Sequence, residues 1–162
     1  MGHIALFPRG RALDIASGPG RNAVFLGEEG FVVDAVDNSR VGFDMALALM
    51  REKKVGINLI FADLERYVIR PETYRLIADF YYLDRDLVPD MIAGLVPGGY
   101  LIVETFTTDH PGYEKSENRR HYLAPRELPA LLDGLAIVNY QETTIIEENM
   151  MKRVARAIAR KD

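Results

Sequence analysis

Three apolar stretches of this 162-residue chain each carry or close on an aspartate, and the first runs straight into a turn of small residues. It reads Leu13-Asp14-Ile15-Ala16-Ser17-Gly18-Pro19-Gly20-Arg21, and a helical pattern follows at once. The second, Phe31-Val32-Val33-Asp34-Ala35-Val36-Asp37, closes on Asp37; the third, Ile57-Asn58-Leu59-Ile60-Phe61-Ala62-Asp63, closes on Asp63. Glycine at 18 and 20 lets the backbone pass close to a ligand in conformations barred to larger residues. The turn and the helix start behind it aim N–H groups at one point, which favours a negative group. Arg21 can add a charge-assisted contact. An ionised Asp37 offers two acceptor oxygens, enough for a pair of neighbouring hydroxyls. In a parallel sheet these strand ends open on one edge, where doubly wound folds bind nucleotides.

The elements that must position these residues alternate between strand and helix, which argues for an α/β parallel sheet. Strands are expected at about 11–16, 31–36, 57–62, 74–81, 100–105 and 135–142. Helices are expected at about 22–29, with Gly30 as its cap, at 42–53, ended by Gly56, and at 86–95, stopped by Pro97-Gly98-Gly99. Residues 107–121 lack periodicity and read as a long loop, a place where function collects. A short helix over 127–133 follows, with Pro125 and Pro129 near its start. The last segment is ambiguous. Met151, Val154, Ala155 and Ile158 share one helical face, and Lys152, Arg153, Arg156 and Arg160 share the other.

Composition narrows the classes. The length suits one domain, over residues 1–162, with a real core. A formal net charge of -4 gives no global pull on nucleic acid or acidic membranes. The chain has no cysteine, so disulfides, thiolate metal sites and a cysteine nucleophile are excluded together. No apolar run approaches the roughly 20 residues that span a bilayer, and the start shows no signal segment. The expectation is a cytoplasmic protein with no metal, no nucleic acid and no membrane partner.

The first turn, together with Val33-Asp34-Ala35-Val36-Asp37 and Val96-Pro97-Gly98-Gly99-Tyr100, resembles the class I S-adenosylmethionine-dependent methyltransferases. The likeness runs from about Arg11 to Arg160 and is nearest to the small bacterial tellurite-resistance-type enzymes, themselves similar to thiopurine methyltransferases. Glu104-Thr105-Phe106-Thr107 resembles one branch of that group. The resemblance implies a doubly wound, seven-stranded, mostly parallel sheet in the order 3-2-1-4-5-7-6 with an antiparallel last strand. It therefore makes the C-terminal segment a strand, against the helical period. The cofactor implied is S-adenosyl-L-methionine. Its carboxylate would lie on the turn of Ala16, Gly18, Gly20 and Arg21, and its ribose on Asp37 beside Asn38. Asp63 and the Leu64 N–H would meet its adenine. Asp14 would orient the turn or the amino group, and Phe80 would lie alongside. Two departures stand out. Ala16 replaces the first loop glycine. Only about ten residues precede the first strand, where such enzymes carry a helical lid; the expectation is an open cleft with its rim at Leu6, Phe7 and Tyr81, in a monomer or covered in a homodimer.

The reaction implied is methyl transfer to a small-molecule acceptor, an in-line displacement that needs alignment more than covalent chemistry. Acceptor-side candidates are Tyr81, Tyr82, Asp84 and Arg85 after the fourth strand, and Thr105, Phe106, Thr107 and His110 after the fifth. Tyr81, Asp84 and His110 are the catalytic candidates, with His110 able to act as a base near neutral pH. Arg119-Arg120-His121 is a candidate anion contact. Two other readings stay open. Gly18-Pro19-Gly20-Arg21-Asn22-Ala23 also satisfies a dinucleotide pattern with Asp37 as its ribose acid, so an NAD-type module is the runner-up, against which count the Asp14 inside the first strand and the lack of room for a substrate domain. A cofactor-binding protein without turnover is the other.

Overall fold

The computed structural model describes Ile4, residues 7–147 and residues 150–162. In chain order the elements are β1 (Arg11–Ile15), α1 (Arg21–Glu28), β2 (Val32–Asp37), α2 (Arg40–Lys53), β3 (Asn58–Phe61), β4 (Tyr74–Phe80), α3 (Val88–Gly94), β5 (Leu95–Phe106), α4 (Glu127–Leu131), β6 (Ala136–Glu147) and β7 (Met150–Arg160). Two 3-10 turns, Tyr113–Lys115 and Arg119–His121, interrupt the long loop between β5 and α4.

The seven strands form one sheet in the order β3-β2-β1-β4-β5-β7-β6. The first five pair in parallel, and β7 lies antiparallel between β5 and β6. The sheet is the expected one, and the C-terminal segment is a strand. Parallel pairing puts the ends of β1, β2, β3 and β4 on one edge, which carries every cofactor position named above.

Each face of the sheet has its own core. Leu13, Ile15, Ile77, Leu101 and Val103 pack with Met91 of α3 and Leu128 of α4. Ala12, Val33, Ala35 and Leu76 pack with Val24 and Leu26 of α1 and with Phe31. The small residues Ala12, Ala23 and Ala35 keep α1 close to the strands. At the opposite edge from the turn, the buried Asp34 joins three strands: it accepts from Arg11 Nε at 2.9 Å, Asn58 Nδ2 at 2.9 Å and the Tyr74 hydroxyl at 3.0 Å.

Several boundaries differ from expectation. Lys54, at φ +57, ends α2, two residues before Gly56; its N–H donates to the Met50 carbonyl. β5 begins at Leu95, because Pro97-Gly98-Gly99 is absorbed into the strand beside a register shift against β4. Lys161 exchanges backbone bonds with Gly98 and Gly99, at 2.8 and 2.9 Å, and holds that irregular stretch in the sheet. Leu6 of the expected rim lies outside the described residues. Phe7 is no exposed rim: it is buried edge-on against Tyr100, ring centroids 5.1 Å apart.

Asp34 supplies a stability test. Burial raises its pKa, but the bonds from Arg11, Asn58 and Tyr74 overcome that, and the carboxyl titrates below its ordinary value. Its contribution is therefore complete above about pH 4 and is lost as pH falls through the lower folded value. Asp34→Ala strands the buried Tyr74 hydroxyl and removes the partner of the exposed Arg11, and chemical denaturation at pH 7 should show a loss of about 3 kcal/mol that shrinks toward pH 3.

Candidate functional site

The β1–α1 turn is held in a strained shape. Ala16, Gly18 and Gly20 have φ of +50, +49 and +74. At Gly20 a Cβ would stand 2.8 Å from the Ala46 Cβ of α2, so both conformation and space demand glycine there. Ala16 has no such freedom and carries a backbone cost of roughly 1–2 kcal/mol. The turn is tied to its neighbours by Ser17 N–H donating to the Val36 carbonyl at 3.0 Å and Gly20 N–H to the Ser17 carbonyl at 2.9 Å.

Asp37 latches this turn from the end of β2. Its Oδ2 accepts from Gly18 N–H at 2.8 Å and its Oδ1 from Ser39 N–H at 2.6 Å. Each oxygen keeps a further lone pair for a ligand hydroxyl. Asn38 is exposed beside it. After β3, Asp63 is exposed, with its Oδ1 accepting from Glu65 N–H at 3.1 Å, and Leu64 is buried. Arg21 is exposed at the start of α1.

Beneath the turn lies a carboxyl in an unusual state. Asp14 is 1% exposed and its Oδ2 has no hydrogen-bond partner. Burial pushes its pKa up to about 7, opposed by the Ala23 N–H at the start of α1 and reinforced by Asp37. In the free protein it favours the fold below about pH 4 and withdraws that support as pH rises through about 7.

A trough of about 910 Å³ runs from Ala16, Gly18 and Arg21 across the α1 side of the sheet, over Ala78, Phe80 and Ile102. At its mouth stands Tyr81, at φ +62, immediately after β4. Its N–H donates to the Glu104 carbonyl and its hydroxyl to Glu104 Oε1, both at 2.7 Å. Glu104 also faces Arg156 at 3.4 Å. Strain of this kind collects at working sites.

Beyond β5 an aromatic group continues from Tyr81 to Phe106 and His110, with ring centroids 4.8 and 4.6 Å apart. A smaller pocket of about 560 Å³ lies between Phe106, His110 and Pro111 on one side and Met150, Met151 and Lys152 on the other. The second wall is a ribbon: β7 leaves β5 at Val154 but stays paired with β6 out to Met150. Burial and then Lys152 hold the His110 pKa below its ordinary value, against Asp109. Its Nδ1 accepts from Gly112 N–H at 2.8 Å, so the neutral ring carries its proton on Nε2 and presents a donor.

Other acceptor-side residues brace the loops. Arg85 clamps Glu127 through Nε at 2.6 Å and Nη2 at 2.9 Å, and donates to the carbonyls of Arg120 and Tyr122. Asp84 accepts from Asp86 N–H at 3.1 Å. Arg120 faces Glu65 at 3.5 Å, and the His121 ring lies against Tyr82 at 5.1 Å.

Residues 3–147 match the family described as tellurite resistance protein TehB. The chain belongs to the TehB family. Hemagglutinin 1 of Eikenella corrodens is 30% identical over 132 residues, which are 73% of this chain and 44% of that protein. The structure of TehB from Haemophilus influenzae superposes with a TM-score of 0.80 at 20% identity, covering 98% of this chain and 59% of the other. An S-adenosylmethionine-dependent methyltransferase from Methanosarcina mazei gives 0.81 at 16% identity, covering 99% and 97%. The N-methyltransferase NodS from Bradyrhizobium japonicum gives 0.76 at 16%, covering 98% and 89%. This TehB-family chain thus has the methyltransferase fold and spans about half the length of the curated relative it matches.

The TehB-family site fits a ligand with a carboxylate at one end and an ammonium beside it. The start of α1 at Arg21 and Asn22, which has no side-chain cap, suits the first, and the unpartnered Asp14 Oδ2 suits the second. The trough gathers Ala16, Gly18, Arg21, Phe80 and Tyr81. Asp37 and Asn38 lie behind the turn, Asp63 and Leu64 lie after β3, and His110 faces the smaller pocket. Sequence reasoning passed over three features. Asp79 interrupts an apolar strand as Asp14 does, a signal that was readable. Glu104 was read only as part of a likeness. The Met150–Met151 wall depends on how far β6 and β7 outrun the sheet.

The turn yields paired substitutions. Ala16→Gly should stabilise the protein by about 0.5–1 kcal/mol, because relief of the left-handed strain exceeds the added chain entropy. Gly20→Ala should cost about 2–4 kcal/mol, from the same strain plus the clash with Ala46. Thermal unfolding of the two variants checks both signs.

Proposed function

We propose that this chain binds S-adenosyl-L-methionine on the β1–α1 turn and transfers its methyl group to a small-molecule acceptor held at the ends of β4 and β5. The observation that carries the reading is the buried Asp14 carboxyl, whose Oδ2 has no hydrogen-bond partner, at the β1–α1 turn whose Ala16, Gly18 and Arg21 line the trough. An ammonium and a carboxylate on adjacent atoms satisfy both at once. The pyrophosphate of a dinucleotide would set two negative charges near that carboxyl, and this weighs against the NAD reading.

When bound, the cofactor supplies an electrophilic methyl on a sulfonium sulfur. The chain's residues then hold, orient and shield. The start of α1 with Arg21 binds the carboxylate, Asp37 takes the ribose hydroxyls while keeping the turn latched, and Asp63 with the Leu64 N–H reads the adenine. Holding donor and acceptor in line can supply roughly 7–11 kcal/mol of the barrier. The aromatic and methionine walls of the smaller pocket suit an acceptor with an apolar body. His110 in its Nε2–H tautomer donates a hydrogen bond to that acceptor and removes no proton, so a soft nucleophile is favoured. The cations of β7 support a small acceptor over RNA or DNA. Arg153 is engaged by Asp109 and Thr144 and Arg156 by Glu104, which leaves no basic stripe along that strand.

Calorimetry with S-adenosylhomocysteine and NAD tests the binding step. The expected result is saturable binding of the first and none of the second; the reverse overturns the reading. Asp37→Ala should weaken S-adenosylhomocysteine by about 1–3 kcal/mol, roughly 5- to 150-fold. Methyl release from labelled S-adenosylmethionine onto a panel of thiols and other small nucleophiles tests turnover.

A further inference from the structure

Asp79 closes the β4 run just before Phe80, is 1% exposed, and has no hydrogen-bond partner on either carboxyl oxygen. It stands in register with Ile15, the last residue of β1, so it shares the sheet edge on which the turn begins. Its chain neighbours Ala78 and Phe80 line the trough, so strand alternation sends the Asp79 side chain to the other face of β4, and what joins it to the turn is the shared strand ends and the proximity of Asp14. The charged groups acting on it are acidic: Asp14 from β1 and Asp84 from the loop after β4. Asp37 acts in turn on Asp14, and the one donor nearby is the Tyr82 backbone N–H. Among the described residues no cation pairs with Asp79. A packed core position ordinarily holds an apolar group or a satisfied polar one. A carboxyl left here either keeps a proton or waits for a positive charge.

We propose that Asp79 is a further cofactor-contacting residue, whose carboxylate is the counter-charge for the sulfonium end of the methyl donor and distinguishes that donor from its neutral thioether product. This rests on the cofactor reading above. Donor and product share their carboxylate, ammonium, ribose and adenine. They differ by one methyl and one positive charge. Asp14 and Asp37 serve the shared parts from β1 and β2. Asp79 lies further along the edge, toward Tyr81 and Glu104, where the methyl must be delivered. In a buried setting a unit charge is felt far more strongly than in water.

The proton balance follows. Burial and Asp14 hold the Asp79 carboxyl well above its ordinary range, so the free protein keeps it neutral. Donor binding sends that proton to solvent. In transfer the sulfur–carbon bond breaks with its electron pair going to sulfur, and a lone pair of an anionic soft acceptor such as a thiolate forms the new bond to carbon, so that both products are neutral. Asp79 then faces a neutral thioether, is again uncompensated, and takes a proton back from water as the product leaves.

The test is calorimetry of the wild-type chain and of Asp79→Asn with S-adenosylmethionine and with S-adenosylhomocysteine. It is run near pH 6 and pH 7.5 in two buffers of different ionisation enthalpy. We expect the wild type to release more protons with the donor than with the product, and its preference for the donor to rise with pH across that window. In Asp79→Asn, donor affinity should fall about tenfold or more while product affinity stays within about threefold, and the extra proton release should vanish. Equal losses for both ligands, or equal proton release by the wild type, overturn the role of Asp79. The proton-release comparison needs no variant and stands even if Asp79→Asn folds poorly. Product binding by the wild type separates the two readings: if S-adenosylhomocysteine does not bind at all, the cofactor site falls with the proposal; if it binds and the two ligands behave alike, Asp79 alone is misassigned.

Discussion

The bond from Gly18 N–H to Asp37 joins the ends of β1 and β2, and the geometry of the candidate site depends on it. Without it, a five-residue segment with three left-handed residues would keep only the Ser17 bond to the Val36 carbonyl and packing against α2 to hold it to the sheet edge. The same carboxylate reaches Ser39, whose Oγ accepts from Gly42 N–H as the N-cap of α2. One side chain thus sets the turn against the start of the helix that presses on it. Ala46 of α2 then leaves no room for anything larger than glycine at 20.

Around that latch the sheet edge gathers buried carboxyl groups that no cation among the described residues pairs with. Asp34 shows how this protein treats an acid with a structural purpose: every partner is supplied, and its pKa is driven down. Asp14 and Asp79 are treated the opposite way. Both are buried with free oxygens and both are pushed up. The contrast lies between two ends of the same strands and separates a scaffold end from a working end. Native structures accept such local costs where binding repays them.

Much of this was legible from residue order. The three strand-ending acids and the small-residue turn placed the edge, and the alternation of patterns placed most of the sheet. The C-terminal strand was not legible from period. Ala155, Ala157 and Ala159 are buried while Arg156, Ile158 and Arg160 are less so, a period of two that the sequence hides because the inward residues are small alanines and one outward residue, Ile158, is apolar. Its helical pattern was a coincidence of small apolar residues, and only the slot between β5 and β6 decides its form. Pro97-Gly98-Gly99 misled for a related reason: Lys161, far off in sequence, supplies the bonds that keep it in the sheet. The tautomer of His110 was likewise invisible, since it is set by the N–H of Gly112 two residues away.

The position of β7 also imposes an order in time. Among the described residues β6 pairs with no strand except β7, yet β7 is made after it. On a ribosome the first five strands can assemble as each appears, while the twelve residues of β6 wait with both backbone edges open. Ile137, Val138 and Ile146 remain exposed even in the finished protein, so the waiting strand is apolar as well as unpaired. Sheet closure therefore waits for β7 to be made. The interval before it is when the nascent chain is most open to pairing with another copy of itself.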